Sequence, residues 1–176
     1  MHVRVELDAR GGLPGLSVIG LRGGDARDAR ERVQTAVLNS GFAFPRRRLT
    51  ANLAPATTTR SGAGLDLALA CCVLALQQQV DPLRLAKIGL FAELGLGGDL
   101  RPCPGVAAAA EAAAAAGLAG LVVALADRDE ARAAADTAVV GLPNLADVAS
   151  LLARRAAAGG GERPGAARQG RRLAGS

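Results

Sequence analysis

The polar side chains best placed for chemistry lie between residues 46 and 66, in a run that also contains a glycine loop: Arg46, Arg47, Arg48, Arg60 and Asp66. Three consecutive arginines at the entrance of a strand can neutralise phosphates, giving DNA affinity that depends on salt and not on base sequence. They can equally form a solvated turn or pair with acidic residues of a neighbouring subunit. We favour this second interpretation, and DNA contact stays as the alternative.

The other chemistry-bearing residues indicate structural roles. Asp66 stands at the head of a predicted helix with no second acid or metal ligand nearby in the sequence, so we expect it to cap that helix or to favour its positive end. Cys71, Cys72 and Cys103 have neither a CxxC spacing nor a histidine partner, since the one histidine is His2. Buried structural thiols are therefore predicted, and no metal or redox site.

Nucleotide hydrolysis needs a phosphate-binding loop of the form GxxxxGK[ST], which this sequence does not contain. The single lysine, Lys87, precedes a strand and is followed by isoleucine. Two glycine-rich stretches, 62–64 and 95–98, lack the strand, GxGxxG and helix context of a dinucleotide site. No cofactor is expected on these residues, neither ATP nor Mg²⁺.

Composition and charge bound the class of protein. The 176 residues are 50% hydrophobic, which is enough for one domain with a single core. The net charge of +5 comes from residues 154–176, because residues 1–153 hold fifteen charges of each sign. A uniformly basic DNA-binding face is therefore not predicted. With no apolar run of about eighteen residues and no leader pattern, we expect a cytoplasmic protein without membrane association.

Residues 154–176 are rich in glycine, alanine and arginine, with a single leucine. Such a segment cannot bury enough apolar surface to fold, so a disordered tail is predicted. An arginine-rich RNA-binding tail is one interpretation, and a linker or a read-through remnant is the one we favour.

Hydrophobic periodicity predicts an α/β alternation over the rest of the chain. Strands are expected at 3–7, 16–21, 47–54, 88–94, 98–101, 121–125 and 138–142, and helices at 25–40, 65–79, 104–116, 128–135 and 144–153. Strand 16–21 is predicted to pair antiparallel with strand 3–7 across a turn at 11–15, and strand 88–94 with 98–101. The helix at 65–79 is apolar on most sides and should be the central one.

Several short sequence motifs occur in the same order and at the same spacing as in a known family, which the chain therefore resembles. They are GLPGLSVIGL at 12–21, RERV at 30–33, NSGFAFPRRRLTANLAP within 39–55, GLFAEL at 89–94 and GDLRP at 98–102, followed by PGV at 104–106. Over roughly residues 3–152 the chain resembles the amino-terminal domain of the competence-associated, magnesium-chelatase-like AAA+ ATPases of the ComM/YifB type.

This resemblance implies a fold similar to the Lon protease domain and to the ribosomal-protein domain 2: a mixed sheet with helices packed on it. It implies one domain over residues 1–153 that lacks its first strand, with the AAA+ ATPase module absent. The implied function is a non-catalytic accessory and assembly domain of a ring-forming ATPase that processes DNA, as in branch migration during natural transformation. The expected partners are further copies of the chain or a AAA+ ring.

The resemblance to Lon also raises an enzyme hypothesis, in which a lysine amine activates a serine hydroxyl. Placing the chain on that pattern puts Gly64 at the nucleophile position and Ala107 at the general-base position, so both positions are vacated. Proteolysis by Ser61 would then need Lys87 as its base. A diverged Lon-like serine peptidase and a non-functional gene fragment are the alternatives to the non-catalytic assembly domain.

Overall fold

A computed structural model describes residues 3–54 and 62–153. Arg60, Ser61 and the predicted tail at 154–176 lie outside the described residues. The elements follow in chain order as β1 (Arg4–Arg10), β2 (Gly15–Ile19), α1 (Gly23–Asn39), β3 (Arg48–Ala54), α2 (Asp66–Leu76), α3 (Pro82–Leu85), β4 (Ile88–Phe91), β5 (Glu93–Leu94), β6 (Leu100–Arg101), α4 (Val106–Ala115), β7 (Gly120–Ala124), α5 (Arg128–Ala134), β8 (Val139–Leu142) and α6 (Leu145–Leu152). The predicted mixed α/β class is confirmed.

The first sheet has the strand order β1-β3-β2, with β3 antiparallel to β1 and parallel to β2. The predicted β1–β2 hairpin is therefore wrong, because β3 lies between these two strands. Strands two positions apart in a sheet are separated by roughly 9–10 Å, a gap that the four residues 11–14 can span. Helix α1 then crosses over from β2 to β3, as a parallel pair requires.

The second sheet is parallel throughout, in the order β4-β7-β8, and β5 pairs with β6 in a separate antiparallel ribbon. The predicted strand 88–94 is thus divided between two sheets. Ala92 is the break: its N–H donates to the Gly64 carbonyl at 3.1 Å, and its own carbonyl accepts from the Leu67 N–H at 3.3 Å. The predicted pairing of residues 93–94 with 100–101 is confirmed.

The larger apolar core lies between the first sheet and helices α1, α2 and α6, and a smaller one lies beneath α4 and α5. Helix α2 is the central helix, as predicted, with seven of its eleven residues buried. The buried face of α1 is the one that its periodicity indicates, namely Ala29, Val33, Ala36 and Val37. Gly41 stops α1 in the left-handed conformation, with φ +85°.

Across the described residues, every helix is too short or too polar to cross a lipid bilayer.

Candidate functional site

The first sheet gathers four arginines at one end, which we call the basic end: Arg10, Arg46, Arg47 and Arg48. Arg10 closes β1 directly opposite Arg48, the first residue of β3. Gly15 at the start of β2 faces Arg48 from the other side, and its N–H donates to the Arg47 carbonyl at 3.2 Å. Since β3 lies between two neighbours, Arg48 is paired on both sides, and Arg46 and Arg47 lie in the bend just before it.

The four arginines of the basic end differ in whether they have an ion-pair partner. Arg10 pairs with Asp8 at 2.6 Å, where both side chains are exposed. Arg46, Arg47 and Arg48 are exposed, and no ion pair within residues 3–54 and 62–153 includes them. Arg60 lies outside the described residues, so the structure does not place it beside them.

Next to the basic end is a shallow groove of 550 Å³ on the exposed side of β1 and β3. Its lining mixes signs, with Glu6 and Asp8 beside Arg10 and Arg48. Carboxylates repel phosphates, whereas a protein surface can present groups of either sign. This mixture therefore favours a protein partner over a nucleic acid.

The second candidate site is the junction of loop and helix where the Lon comparison places a nucleophile. Gly64 is buried in a 3₁₀ turn (Ala63–Leu65) that leads into α2. A Cβ built on Gly64 would overlap the ring of Phe91, and one built on Gly105 would lie 3.8 Å from the Phe91 Cζ. Phe91 therefore fills the space that a side chain at position 64 would need.

The other residues of the serine–lysine peptidase hypothesis are not positioned for catalysis. Ala107 is half-buried in the first turn of α4 and has no proton to exchange. Lys87 is exposed before β4, so it lies at the opposite end of that strand from Phe91, about 13 Å away along the chain. Ser61 lies outside the described residues.

Asp66 does not cap α2, because Leu65 holds the cap position and no side-chain cap bond is made. It lies in the first turn of the helix, where a carboxylate favours the positive end, as the second expectation had it. Its carboxylate is wholly buried and accepts two hydrogen bonds from Arg32, at 2.6 Å from Nε and 3.1 Å from Nη2. A third, longer bond of 3.4 Å comes from the Leu94 N–H. Burial raises the pKa of Asp66 to about 6, and the Arg32 guanidinium acts against that rise. This ion pair joins α1 to α2, and no local sequence pattern indicates it.

The three thiols are free; Cys71 and Cys103 are buried, as predicted, whereas Cys72 is half-buried. Burial raises the pKa of Cys71 far above its ordinary value and the pKa of Cys72 and Cys103 to about 11. Within the described ranges, no group of three or more His, Cys, Asp or Glu side chains is arranged to hold a metal ion.

The known proteins that match this chain share one family. A family model described as subunit ChlI of Mg-chelatase matches residues 5–127, which is more than half of the chain. The chain belongs to this magnesium-chelatase-like family, in its ComM and YifB type. The motifs at 12–21, 30–33 and 39–55 all fall within the matched residues.

Individual relatives in this family are similar at the same level. The uncharacterized protein YifB of Salmonella typhimurium is 39% identical over 115 residues, covering 65% of this chain and 23% of that protein. An uncharacterized protein of Mycobacterium tuberculosis is 42% identical over 111 residues, covering 63% and 22%. Competence protein ComM of Haemophilus influenzae is 38% identical over 104 residues, covering 59% and 20%. The aligned part is thus about a fifth to a quarter of each relative.

Proposed function

We propose that this chain is the non-catalytic accessory and assembly domain of a magnesium-chelatase-like AAA+ ATPase. ATP and Mg²⁺ are bound by a separate ATPase module of the larger protein and not by these residues. The observation that supports a non-catalytic role is the packing of the Phe91 ring against Gly64, at the place where a Lon-like peptidase would need its serine. We also infer a Lon-like fold, supported by Gly64 and Ala107 lying where a loop meets a helix.

The contact surface of this domain is the basic end of the first sheet. Arg46, Arg47 and Arg48 are exposed at the entrance of β3, and the adjacent groove mixes acidic with basic side chains. A neighbouring subunit of the ring would present carboxylates to these arginines. In the full-length protein, which we infer processes DNA, this domain then helps to order the subunits around the motor.

The assembly role is tested on the 176-residue chain with Arg46→Ala/Arg47→Ala. The matched control is Arg22→Ala/Arg27→Ala, which removes two other exposed arginines. Sedimentation velocity over a range of concentrations should show self-association of the parent and the control, and a shift to monomer in the first variant. Equal association of all three proteins would remove the basic end from the interface.

DNA contact is the competing outcome. Fluorescence anisotropy with single-stranded and duplex oligonucleotides, at low and high salt, measures it directly. A loss of DNA affinity in Arg46→Ala/Arg47→Ala without any change in self-association would replace the assembly role with nucleic-acid binding. Cleavage of casein, or labelling of Ser61 by an active-site serine probe, would contradict the non-catalytic role.

A further inference from the structure

The first sheet has one face packed on the larger core and one face turned outward. Outward and inward residues alternate along β1 and β3, and the inward ones belong to that core. The outward residues that line the groove beside the basic end are Glu6, Asp8 and Arg10 of β1 and Arg48, Thr50 and Asn52 of β3. All of them except the half-buried Thr50 are exposed. We call this surface the outer face, and a partner must offer it polar or charged groups.

The register of the first sheet sorts the charges of the outer face into rows. Arg10 lies directly opposite Arg48, which makes a positive row at the basic end. Next along β1 come Asp8 and then Glu6, each opposite an uncharged residue of β3. At about 3.3 Å per residue, these two carboxylates lie about 7 and 13 Å along the strand from the positive row. The outer face therefore carries a positive and an acidic strip side by side.

Only part of this charge is paired within one copy of the chain. Asp8 and Arg10 form an ion pair at 2.6 Å. Glu6 and Arg48 take part in no ion pair between described residues. Glu6 lies opposite Asn52, four residues along β3 from Arg48, a backbone separation of about 13 Å. Each copy therefore presents one carboxylate and one guanidinium that do not pair with each other.

A second copy of this chain has the charges that the outer face needs. If it is turned over so that its β1 runs in the opposite direction, its carboxylates lie over the positive row of the first copy. Its own positive row then lies over the carboxylates of the first copy. A nucleic acid would match only the positive row, since carboxylates repel phosphates. Charge complementarity therefore selects a second copy over a nucleic acid.

We propose that the outer face is a two-fold interface between two copies of this chain, in which Arg10 and Arg48 of one copy meet Glu6 and Asp8 of the other. This inference rests on the proposed assembly role and adds to it the partner residues and the symmetry. Because both copies use the same face, the contact closes as a pair and joins subunits two by two. Because the paired groups are exposed in each copy, added salt should weaken the association.

Two charge-reversal variants of the 176-residue chain test the pairing. Glu6→Lys/Asp8→Lys gives the outer face positive charges only, and Arg10→Glu/Arg48→Glu gives it negative charges only. In sedimentation velocity at low salt, each variant alone should dimerise about tenfold or more weakly than the parent, because like charges then face each other. An equimolar mixture should form a mixed dimer, with a dissociation constant within about threefold of the parent value.

A matched control separates this pairing from general attraction between oppositely charged proteins. Glu111→Lys/Glu130→Lys reverses two exposed carboxylates on α4 and α5, outside the first sheet. Alone, it should dimerise like the parent. Mixed with Arg10→Glu/Arg48→Glu, it should give no increase in mixed dimer, although the two net charges differ as much as in the first mixture. Native mass spectrometry identifies the mixed dimer by its mass.

The possible outcomes separate this inference from the proposed function. If Arg46→Ala/Arg47→Ala abolished self-association while Glu6→Lys/Asp8→Lys left it intact, the assembly role would stand and this pairing would be wrong. A mixture of the two reversal variants that stayed monomeric, or a parent that associated beyond the dimer, would also overturn it. A parent that remained monomeric would overturn both proposals. Should a reversal variant fail to fold, Glu6→Gln/Asp8→Asn removes the same charges and should also weaken the dimer.

Discussion

The guanidinium of Arg32 on α1 lies side by side with the carboxylate of Asp66 at the start of α2, joined by two hydrogen bonds. Asp66 is wholly buried, whereas the Arg32 side chain keeps about a quarter of its surface exposed. The two partners are therefore not equivalent. Loss of Arg32 leaves a carboxylate without its cation inside the protein, while loss of Asp66 leaves a cation that still reaches water.

We predict that Arg32→Ala makes stability strongly dependent on pH. Burial already raises the pKa of Asp66, and without Arg32 that pKa rises further. A raised carboxyl pKa favours the protonated folded state, so stability is fully present below pH 4 and is lost as pH rises through the folded pKa. Between pH 5 and pH 8 the free energy of unfolding should fall by about 1 kcal/mol in the parent and about 3 kcal/mol in Arg32→Ala.

Urea denaturation at the two pH values measures this difference. Asp66→Asn removes the titrating group and should flatten the dependence. Arg30→Ala, which removes a more exposed arginine of the same helix, should behave like the parent. If the free energy of unfolding changed equally with pH in Arg32→Ala and Arg30→Ala, the ion pair would not govern the titration of Asp66.

A hydroxyl at position 64, where the proposed Lon-like fold would have its nucleophile, should damage the fold without creating an enzyme. Gly64→Ser places a side chain against the Phe91 ring and should destabilise by about 1–3 kcal/mol through overpacking. Peptidase activity should stay at background. In a double-mutant cycle, Phe91→Leu should recover part of the loss caused by Gly64→Ser. Strictly additive losses would mean that residues 64 and 91 do not compete for the same space.

Two glycines that flank the crossover into α1 should respond oppositely to alanine. Gly20 has φ +99°, and a Cβ there would lie 2.9 Å from the Leu53 carbonyl oxygen, so Gly20→Ala should cost about 2 kcal/mol. Gly24 in the first turn of α1 has nothing within 4 Å of an added Cβ. Gly24→Ala should therefore stabilise by about 0.5 kcal/mol. Thermal unfolding compares the two, and a stable Gly20→Ala would contradict the close approach of Gly20 to β3.

The three thiols should be nearly unreactive in the native chain. With a pKa of about 11, Cys72 and Cys103 hold very little reactive thiolate at pH 8, and Cys71 holds less. Titration with a disulfide reagent should proceed slowly in buffer and reach all three cysteines in urea. A native thiol that reacted at once would show that one of these side chains is open to solvent.

Local sequence patterns predicted the positions of the strands and helices better than they predicted which strands pair. The alternation of Leu49, Ala51 and Leu53 placed β3 and its buried face correctly, because burial of one face is visible in the sequence. The neighbours of β3 were not visible, since pairing across the gap between β1 and β2 depends on a strand about thirty residues further along. The break at Ala92 escaped notice for the same reason, because its partners are Gly64 and Leu67.

The candidate site divides in a similar way. Arg46, Arg47 and Arg48 could be recognised as exposed from their position at a strand entrance. Their alignment with Arg10 required the register of the first sheet. The Arg32–Asp66 pair joins residues 34 apart on two helices, so nothing local distinguishes Arg32 from the other charged residues of α1. The packing of Phe91 on Gly64 likewise needed the tertiary structure.

The central place of β3 in the first sheet has a kinetic consequence. Strands β1 and β2 are neighbours in sequence but share no backbone ladder, so neither can stabilise the other before β3 arrives. We therefore expect no early β1–β2 hairpin, and we expect the sheet to stay unformed during synthesis until β3 has left the ribosome. Its folding rate should then be set by the search that brings β3 back over α1, the signature of a fold dominated by distant contacts.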